Sequence, residues 1–194
     1  MRSFFRPIII ACFIPAVVPA SAAWAKVYLT VPEFLERMSV SDDSGKSREA
    51  CRRDKETHYL TDDQKRKIMS GWNRPVDEMK ALSGLWVRYR LICGGRDDRF
   101  VYFDSHRVRT QGETLAIVVQ SGGALERVEV LSFDEPEDYV PKDKWFGMFA
   151  AKRLSPALEL QRDIPMITGA TLSARAAVVS ARKVLAVHAV LAVP

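Results

Sequence analysis

The stretch from Thr114 to Phe133 reads TLAIVVQSGGALERVEVLSF, and it decides the fold of this 194-residue chain. Its two ends, Thr114–Val119 and Leu125–Phe133, are rich in branched apolar residues, and the second alternates between apolar and charged positions. The sequence Ser-Gly-Gly at Ser121–Gly123 separates them. Two such runs joined by a glycine-rich turn predict an antiparallel β-hairpin.

Strand patterns also precede this hairpin. Leu85–Ile92 is rich in aromatic and branched residues, and Gly94–Asp97 has the composition of a turn. Phe100–Phe103 and Val108–Thr110 follow as further short strands. Consecutive short strands separated by glycine-rich turns predict an antiparallel meander.

Two short helices are predicted before the strands. Each begins at a threonine that is followed three residues later by Glu or Gln, which is the pattern of a capping box. We expect the helices to cover Thr30–Met38 and Thr61–Ser70, with Gly71 ending the second. The polar segment Ser39–Glu56 between them predicts a solvated loop.

The longest apolar helical pattern runs from Leu172 to about Val190, after a shorter one at Lys142–Phe149 that has Pro141 at its start. One face of the long pattern carries Val178, Ala181, Leu185, Ala189 and Ala192, while Arg175, Arg182 and Lys183 fall mostly on another. We therefore expect an α+β fold in which a long C-terminal helix packs on the antiparallel meander sheet. Residues 26–83 would form a small N-terminal helical extension, and residues 84–193 the main domain.

The first 25 residues resemble a secretory signal peptide. Arg2 and Arg6 precede the uncharged stretch Pro7–Val18, and small residues from Ala20 to Ala25 suit cleavage after Ala25. A retained membrane anchor is the alternative, although the apolar run is short and is interrupted by prolines. We therefore expect a periplasmic or otherwise exported protein, membrane-associated if the segment is kept.

Charge and cysteine content narrow the function further. Loss of residues 1–25 lowers the net charge from +5 to +3, and no dense basic block remains, so nucleic acid is not an expected partner. Cys51 and Cys93 would remain, either as a structural disulfide or as a redox pair. The three histidines stand apart in the sequence, and no Cys or His cluster has the spacing of a zinc site.

The hexapeptide Thr168-Gly169-Ala170-Thr171-Leu172-Ser173 opens the long helical pattern. Its Gly-Ala pair lets a ligand approach the backbone closely, and the free N–H groups of a helix start can hold a phosphate beside a hydroxyl. The other interpretation is a helix N-cap preceded by a flexible turn. Asp163 lies upstream of the hexapeptide. It would either bind a metal or help a modifying enzyme to dock, or it is an ordinary surface acid.

A second candidate segment, Asp134–Tyr139, is acidic and directly follows the last strand. It is either a solvated loop or a wall beside a planar ligand, formed by Glu135 and Pro136. The aromatic residues Trp145, Phe146 and Phe149 would add apolar surface to such a site, or they belong to the core.

The two motifs together resemble the FMN-binding domain of the flavin subunits of sodium-pumping quinone reductases and Rnf-type electron-transport complexes. That family carries Ser-Gly-Ala-Thr where this chain has Thr168–Thr171, and a Glu-Thr-Pro-Gly-like loop and an aromatic helix where it has Phe133–Pro136 and Trp145. The resemblance covers Leu85 to Leu191. The sequences at Val27–Thr30 and Asp104–Thr110 resemble exported single-domain members of the group.

The resemblance implies that a flavin transferase of the ApbE type joins FMN, taken from FAD with magnesium, to Thr171. Gly169 and Ala170 would allow the turn, and Thr168, Leu172 and Ser173 would line the phosphate and the ribityl chain. Glu135 and Pro136 would flank the flavin.

Two positions depart from the family pattern. Thr168 replaces a serine and keeps its hydroxyl, whereas Pro165 stands where the transferase usually meets an aspartate, the nearest being Asp163. Covalent FMN, non-covalent FMN and an unmodified site are therefore all open.

The expected function is that of an exported electron carrier that uses FMN rather than a side-chain catalyst, with an unidentified membrane or exported donor and acceptor. The alternative is a non-redox accessory or binding module that keeps the fold without covalent flavin. A flavin-dependent reductase with its own substrate is less favoured, because no Gly-x-Gly-x-x-Gly fingerprint is present.

Overall fold

A computed structural model describes residues 26–40, 51–74, 79–80, 82–94 and 98–192. The predicted signal peptide, the loop residues 41–50 and most of the predicted turn at 94–97 lie outside the described residues. The elements are β1 (Lys26–Val27), α1 (Val31–Val40), β2 (Arg52–Tyr59), α2 (Asp62–Trp72), β3 (Leu85–Ile92), β4 (Arg99–Val108), β5 (Gln111–Gln120), β6 (Leu125–Phe133), α3 (Asp143–Phe146) and α4 (Thr171–Leu191).

The six strands form one antiparallel sheet in the order β1-β6-β5-β4-β3-β2. Strands β2 to β6 are neighbours in both sequence and space, which is the predicted meander. Helix α4 covers one face of the sheet together with α2 and α3, while α1 covers the other. The α+β class, the meander and the long C-terminal helix are confirmed.

Strand β5 shows why the sheet is covered on both faces. Leu115 and Ile117 pack into the core beneath α4, while Ala116 and Val118 pack into the core beneath α1, and all four are fully buried. A continuous apolar run is typical of a strand that is buried on both sides. Burial of these side chains is the main favourable contribution to folding.

The predicted loop at Ser39–Glu56 is wrong at both ends, because α1 continues through Val40 and a strand begins at Arg52. Arg52–Tyr59 forms strand β2, which pairs with the whole of β3 at the edge of the sheet. Its sequence, RRDKETHY, is polar because an edge strand is largely exposed, and charged residues there discourage pairing with other molecules. The segment before residue 84 thus supplies two strands of the main sheet, in addition to its helices.

Several element boundaries also differ from the prediction. Phe100–Phe103 and residue 108 belong to one continuous strand, β4, which ends where Arg109 adopts φ 53° in the turn to β5. Thr61 caps α2 in a capping box as predicted, but Asn73 rather than Gly71 ends that helix, with φ 61°. Gly71 instead lies inside the helix, where an added Cβ would make ordinary van der Waals contact with Leu154 at 3.4 Å and with Ala186 at 3.6 Å.

Candidate functional site

The turn that precedes α4 leaves its backbone accessible. Thr168 and Gly169 are exposed, and Gly169 has φ 87°, a conformation that glycine adopts without strain. An added Cβ at Gly169 would meet no atom within 4 Å, so the backbone conformation, rather than crowding, favours glycine there. The backbone of this turn is therefore accessible, and its role in binding a ligand stays a prediction.

The alternative interpretation of the hexapeptide, a hydroxyl residue that caps the start of α4, is not what the structure shows. Ala170 occupies the N-cap position and makes no side-chain cap hydrogen bond. Thr171 is the first helical residue, and its Oγ1 donates a hydrogen bond to the carbonyl oxygen of Ile167 at 2.9 Å. The hydroxyl is half-buried and faces back along the turn instead of satisfying the N–H groups of the first helical turn.

The remaining residues of the hexapeptide divide by exposure. Leu172 is 50% exposed, whereas Ala170 and Ser173 are buried. The Oγ of Ser173 has no hydrogen-bond partner among the described residues. The accessible surface of this predicted site thus consists of Thr168, Gly169, Leu172 and the partly covered Thr171, and it does not include Ser173.

Glu135 holds the turn between β4 and β5. Its Oε1 accepts hydrogen bonds from the backbone N of Thr110 at 3.0 Å, the Oγ1 of Thr110 at 3.1 Å and the backbone N of Gln111 at 3.1 Å. The bond from the Thr110 amide is the largest cause of a pKa of Glu135 below its usual range. Pro136 is exposed and begins a 3-10 turn at Glu137–Tyr139. Their role beside a flavin stays a prediction.

The aromatic residues after this loop belong to the core. Trp145 is 5% exposed, Phe146 6% and Phe149 0%, and the Trp145 ring lies 5.2 and 5.3 Å from the centroids of the other two. Nε1 of Trp145 donates to the carbonyl oxygen of Pro165 at 2.8 Å. This bond fixes the helix after the acidic loop against the segment before Thr168. The 3-10 turn at Glu137–Tyr139 also contacts α4.

The position of the expected aspartate is also defined. Pro165 is exposed, and the nearest acid, Asp163, is half-buried with Oδ1 3.9 Å from Nζ of Lys152. Asp163 therefore already has a cationic neighbour on this surface.

A buried charged cluster beneath α4 was not predicted from the sequence. His106 lies between two carboxylates, with Nε2 2.7 Å from Glu113 and Nδ1 3.4 Å from Asp104. Asp104 also accepts a hydrogen bond from Ser180 and lies 2.5 Å from Nζ of Lys183. Strand pairing places residue 106 opposite residue 113, and helix packing adds the two α4 residues.

Protonation in this cluster follows from its contacts. Burial alone lowers the pKa of His106, but the neighbouring carboxylates of Asp104 and Glu113 outweigh it and raise the pKa to about 9. Burial likewise raises the pKa of Asp104, yet His106, Lys183 and Ser180 hold it below its usual range. His106 is thus a cation at neutral pH, in which Nε2 donates to Glu113 and Nδ1 lies within ion-pair distance of Asp104 without a hydrogen bond.

A second buried set of polar side chains lies around His188 of α4. Nη1 of Arg88 donates to the hydroxyl oxygen of Tyr102 at 3.3 Å, and that oxygen lies 2.9 Å from Nδ1 of His188. Because arginine only donates, the Tyr102 O–H donates to a neutral His188. Burial and the charge of Arg88 lower the pKa of His188 to about 4, and burial raises the pKa of Tyr102 to about 12.

Cys51 and Cys93 form a disulfide that joins the start of β2 to the end of β3. Nη2 of Arg99 lies 3.1 Å from Sγ of Cys93 and also donates to the carbonyl oxygen of Met38 at 3.1 Å. The disulfide therefore links the edge strand β2 covalently to β3, close to the end of α1.

A cleft of about 950 Å³ lies elsewhere, along the outer edge of β6 and between α1 and α3. None of the residues of the Thr168–Ser173 turn lines it, and neither do Glu135 and Pro136. The predicted site is therefore a surface turn that is separate from this cleft.

Within the described part of the chain, no helix is both long and apolar enough to cross a membrane. Comparisons with protein families, with curated proteins and with solved structures find no match to this chain.

Proposed function

We propose that this protein is an exported flavoprotein that carries electrons, with FMN linked through its phosphate to Thr171. The observation that carries the proposal is the accessible turn at Thr168–Thr171, where Gly169 has a positive φ and Thr171 begins an uncapped helix. Unsatisfied N–H groups and the helix dipole at such an end favour a phosphate, by about 0.3–1 kcal/mol for an exposed group.

In the attachment step, the transferase would move FMN from FAD to Thr171 and release AMP. The Oγ1 of Thr171 attacks the FMN-side phosphorus of FAD, the bond between the two phosphates breaks, and AMP leaves. The hydroxyl proton passes to a base of the flavin transferase. Ester formation removes the only proton that Thr171 Oγ1 can donate, so its hydrogen bond to Ile167 is lost.

FMN would supply the redox chemistry, while the chain supplies position and surroundings. The Trp145 hydrogen bond to Pro165 supports a fixed turn for this purpose, because it anchors the segment that leads to Thr168. The Cys51–Cys93 disulfide supports an oxidising compartment, in agreement with the predicted signal peptide.

Intact mass tests the attachment directly. The chain is co-expressed with an ApbE-type transferase, and we expect the mass of one FMN less one water to be added, together with flavin absorbance that dithionite bleaches and air restores. Thr171→Ala should abolish the added mass, whereas Thr171→Ser and the control Thr57→Ala, on the exposed edge strand β2, should keep it. An unmodified wild-type protein, in a cell where the transferase modifies another substrate, would refute covalent attachment.

The accessory-module alternative is favoured by one observation, which is that Pro165 replaces the expected acid while Asp163 has Lys152 as its neighbour. In that case Thr171→Ala should leave the function of the protein in its host unchanged. Under the flavoprotein proposal, the same substitution should abolish electron transfer.

A further inference from the structure

The outer edge of β6 is interrupted. At one end, β1 pairs with Phe133 and Ser132, and the amides of Tyr28 and Leu29 donate to the Leu131 carbonyl. The edge then continues without a neighbouring strand among the described residues as far as Leu125. At Leu125 the edge is paired again, with residues Ala151 and Lys152.

The other end is filled by the segment after α3. The amide of Leu125 donates to the carbonyl oxygen of Lys152 at 2.7 Å, and its carbonyl accepts from the amide of Ala151 at 2.8 Å. Five residues, Glu126–Val130, therefore form a gap between two segments that already pair with β6. An unpaired strand edge carries backbone N–H and C=O groups that another extended chain can bind.

The cleft of about 950 Å³ lies directly over this gap. Its apolar lining consists of Val128 and Val130 of β6 together with Val140, Pro141 and Phe146. The gap is therefore a groove with an apolar wall rather than a flat edge.

The length of the gap selects the occupant. A second copy of this chain would have to present its own nine-residue β6, and the ends of that strand would collide with β1 and with the Ala151–Lys152 segment. A segment of about five residues fits between them. At about 3.3 Å per residue, such a segment spans the whole gap.

Charge selects the side chains of that segment. The acids of the groove already have partners in Lys26, Arg37 or Arg99, apart from Asp143. Lys142 and Lys144 are exposed and form no ion pair with a described residue. Four basic residues line the groove (Arg37, Arg127, Lys142 and Lys144), and so do four acidic ones (Glu126, Glu129, Glu137 and Asp143). Lys26 and Arg99, which pair with Glu137 and Glu126 from outside the lining, bring the local balance to six basic against four acidic residues. The excess of positive charge favours an acidic ligand.

We propose that this groove binds a short, extended, acidic segment of another protein, which adds a strand to β6 at Glu126–Val130. Main-chain hydrogen bonds would supply affinity and the basic rim would supply selectivity, as in other cases of strand addition. The proposal does not depend on flavin at Thr171, because none of the turn residues lines the groove.

The test uses the full-length chain and an alternating valine–glutamate pentapeptide, with a valine–lysine pentapeptide as the charge control. Backbone amide NMR should show saturable shifts at Glu126–Val130 for the acidic peptide, and binding at least about tenfold weaker for the basic one. Gly147 offers a matched pair of variants, because it lines the groove, has helical φ and ψ, and an added Cβ would meet no atom within 4 Å. Gly147→Phe should abolish binding, and Gly147→Ala should keep it.

A charge variant tests the rim independently. Lys142→Glu with Lys144→Glu should weaken binding of the acidic peptide at least about tenfold, whereas Lys67→Glu on the exposed side of α2 should not. Three results would each overturn the proposal. They are equal binding of both peptides, binding that survives Gly147→Phe in a folded protein, and protection from exchange, without peptide, of the amides in Glu126–Val130 that face away from β5. Dimerisation through β6 would also overturn it.

Discussion

The two parts of α4 differ in what surrounds them. Its first residue, Thr171, lies in an open turn and bonds only to a nearby carbonyl, whereas Ser180, Lys183 and His188 contact buried polar groups of β4. An exposed group that loses its partner can hydrogen-bond to water instead, which costs little stability. A buried charge that loses its partner remains desolvated and lowers stability strongly. We therefore expect changes beneath the helix to alter stability, and changes in the turn to alter ligand attachment.

In this buried part, two histidines at the interface between α4 and the sheet have different charge states. His106 lies between carboxylates and is protonated, while His188 faces Arg88 and Tyr102 and is neutral. Burial disfavours the charged form in both cases, so the difference comes from the charge of the neighbours.

The largest effect should follow removal of Asp104. Asp104→Ala leaves Lys183 and His106 without one of their buried partners, and we expect the free energy of unfolding to fall by about 3–5 kcal/mol in urea titrations. The matched control is Asp54→Ala, which breaks an exposed ion pair with Arg52 and should cost about 0–1 kcal/mol. Similar losses for both would contradict the contrast between buried and exposed positions.

The protonated His106 should make the protein less stable in alkali. Its pKa is raised in the folded state, so its contribution is complete below the unfolded pKa of 6.5 and disappears as pH rises through about 9. We expect a loss of roughly 3 kcal/mol between pH 6 and pH 9.5, measured by denaturant unfolding at each pH. His106→Gln should be less stable at pH 6 and should lack most of this slope, and an unchanged slope would refute the assignment.

The neutral His188 should have the opposite pH dependence. Its folded pKa of about 4 lies below the unfolded value, so unfolding takes up a proton and stability falls as pH drops from 6.5 towards 4. The expected loss between pH 6.5 and pH 5 is about 2 kcal/mol. His188→Gln should flatten this interval without changing the alkaline one; a flattening of both would mean that the two histidines are coupled.

The smallest effect on stability belongs to the turn. Thr171→Val removes the hydrogen bond to Ile167 but keeps the side-chain shape, and we expect a loss of about 0.5–1.5 kcal/mol in thermal unfolding. A loss above about 3 kcal/mol would mean that Thr171 is part of the buried structure, and flavin assays of its variants would then report folding instead of attachment.

Local patterns in the sequence predicted much of the sheet and the whole of α4. Leu125–Phe133 is found with its predicted bounds, and α4 begins one residue before Leu172. Strand β2 was missed because its charged sequence has no apolar alternation, and only its pairing with β3 makes it a strand. The sequence also did not indicate that Arg182, predicted away from the apolar face of α4, is buried: it is 5% exposed and donates to the carbonyl of Ser155.

The sequence by itself determined the α+β class and the turn at Thr168–Thr171, because strand alternation, helical periodicity and a glycine turn are properties of neighbouring residues. Only the tertiary structure decided which distant residues meet. The cluster of Asp104, His106, Glu113 and Lys183 depends on hairpin register and helix packing, and the open edge of β6 depends on where β1 and the Ala151–Lys152 segment end. Burial and charge act through space, so these contacts have no counterpart in the order of the residues along the chain.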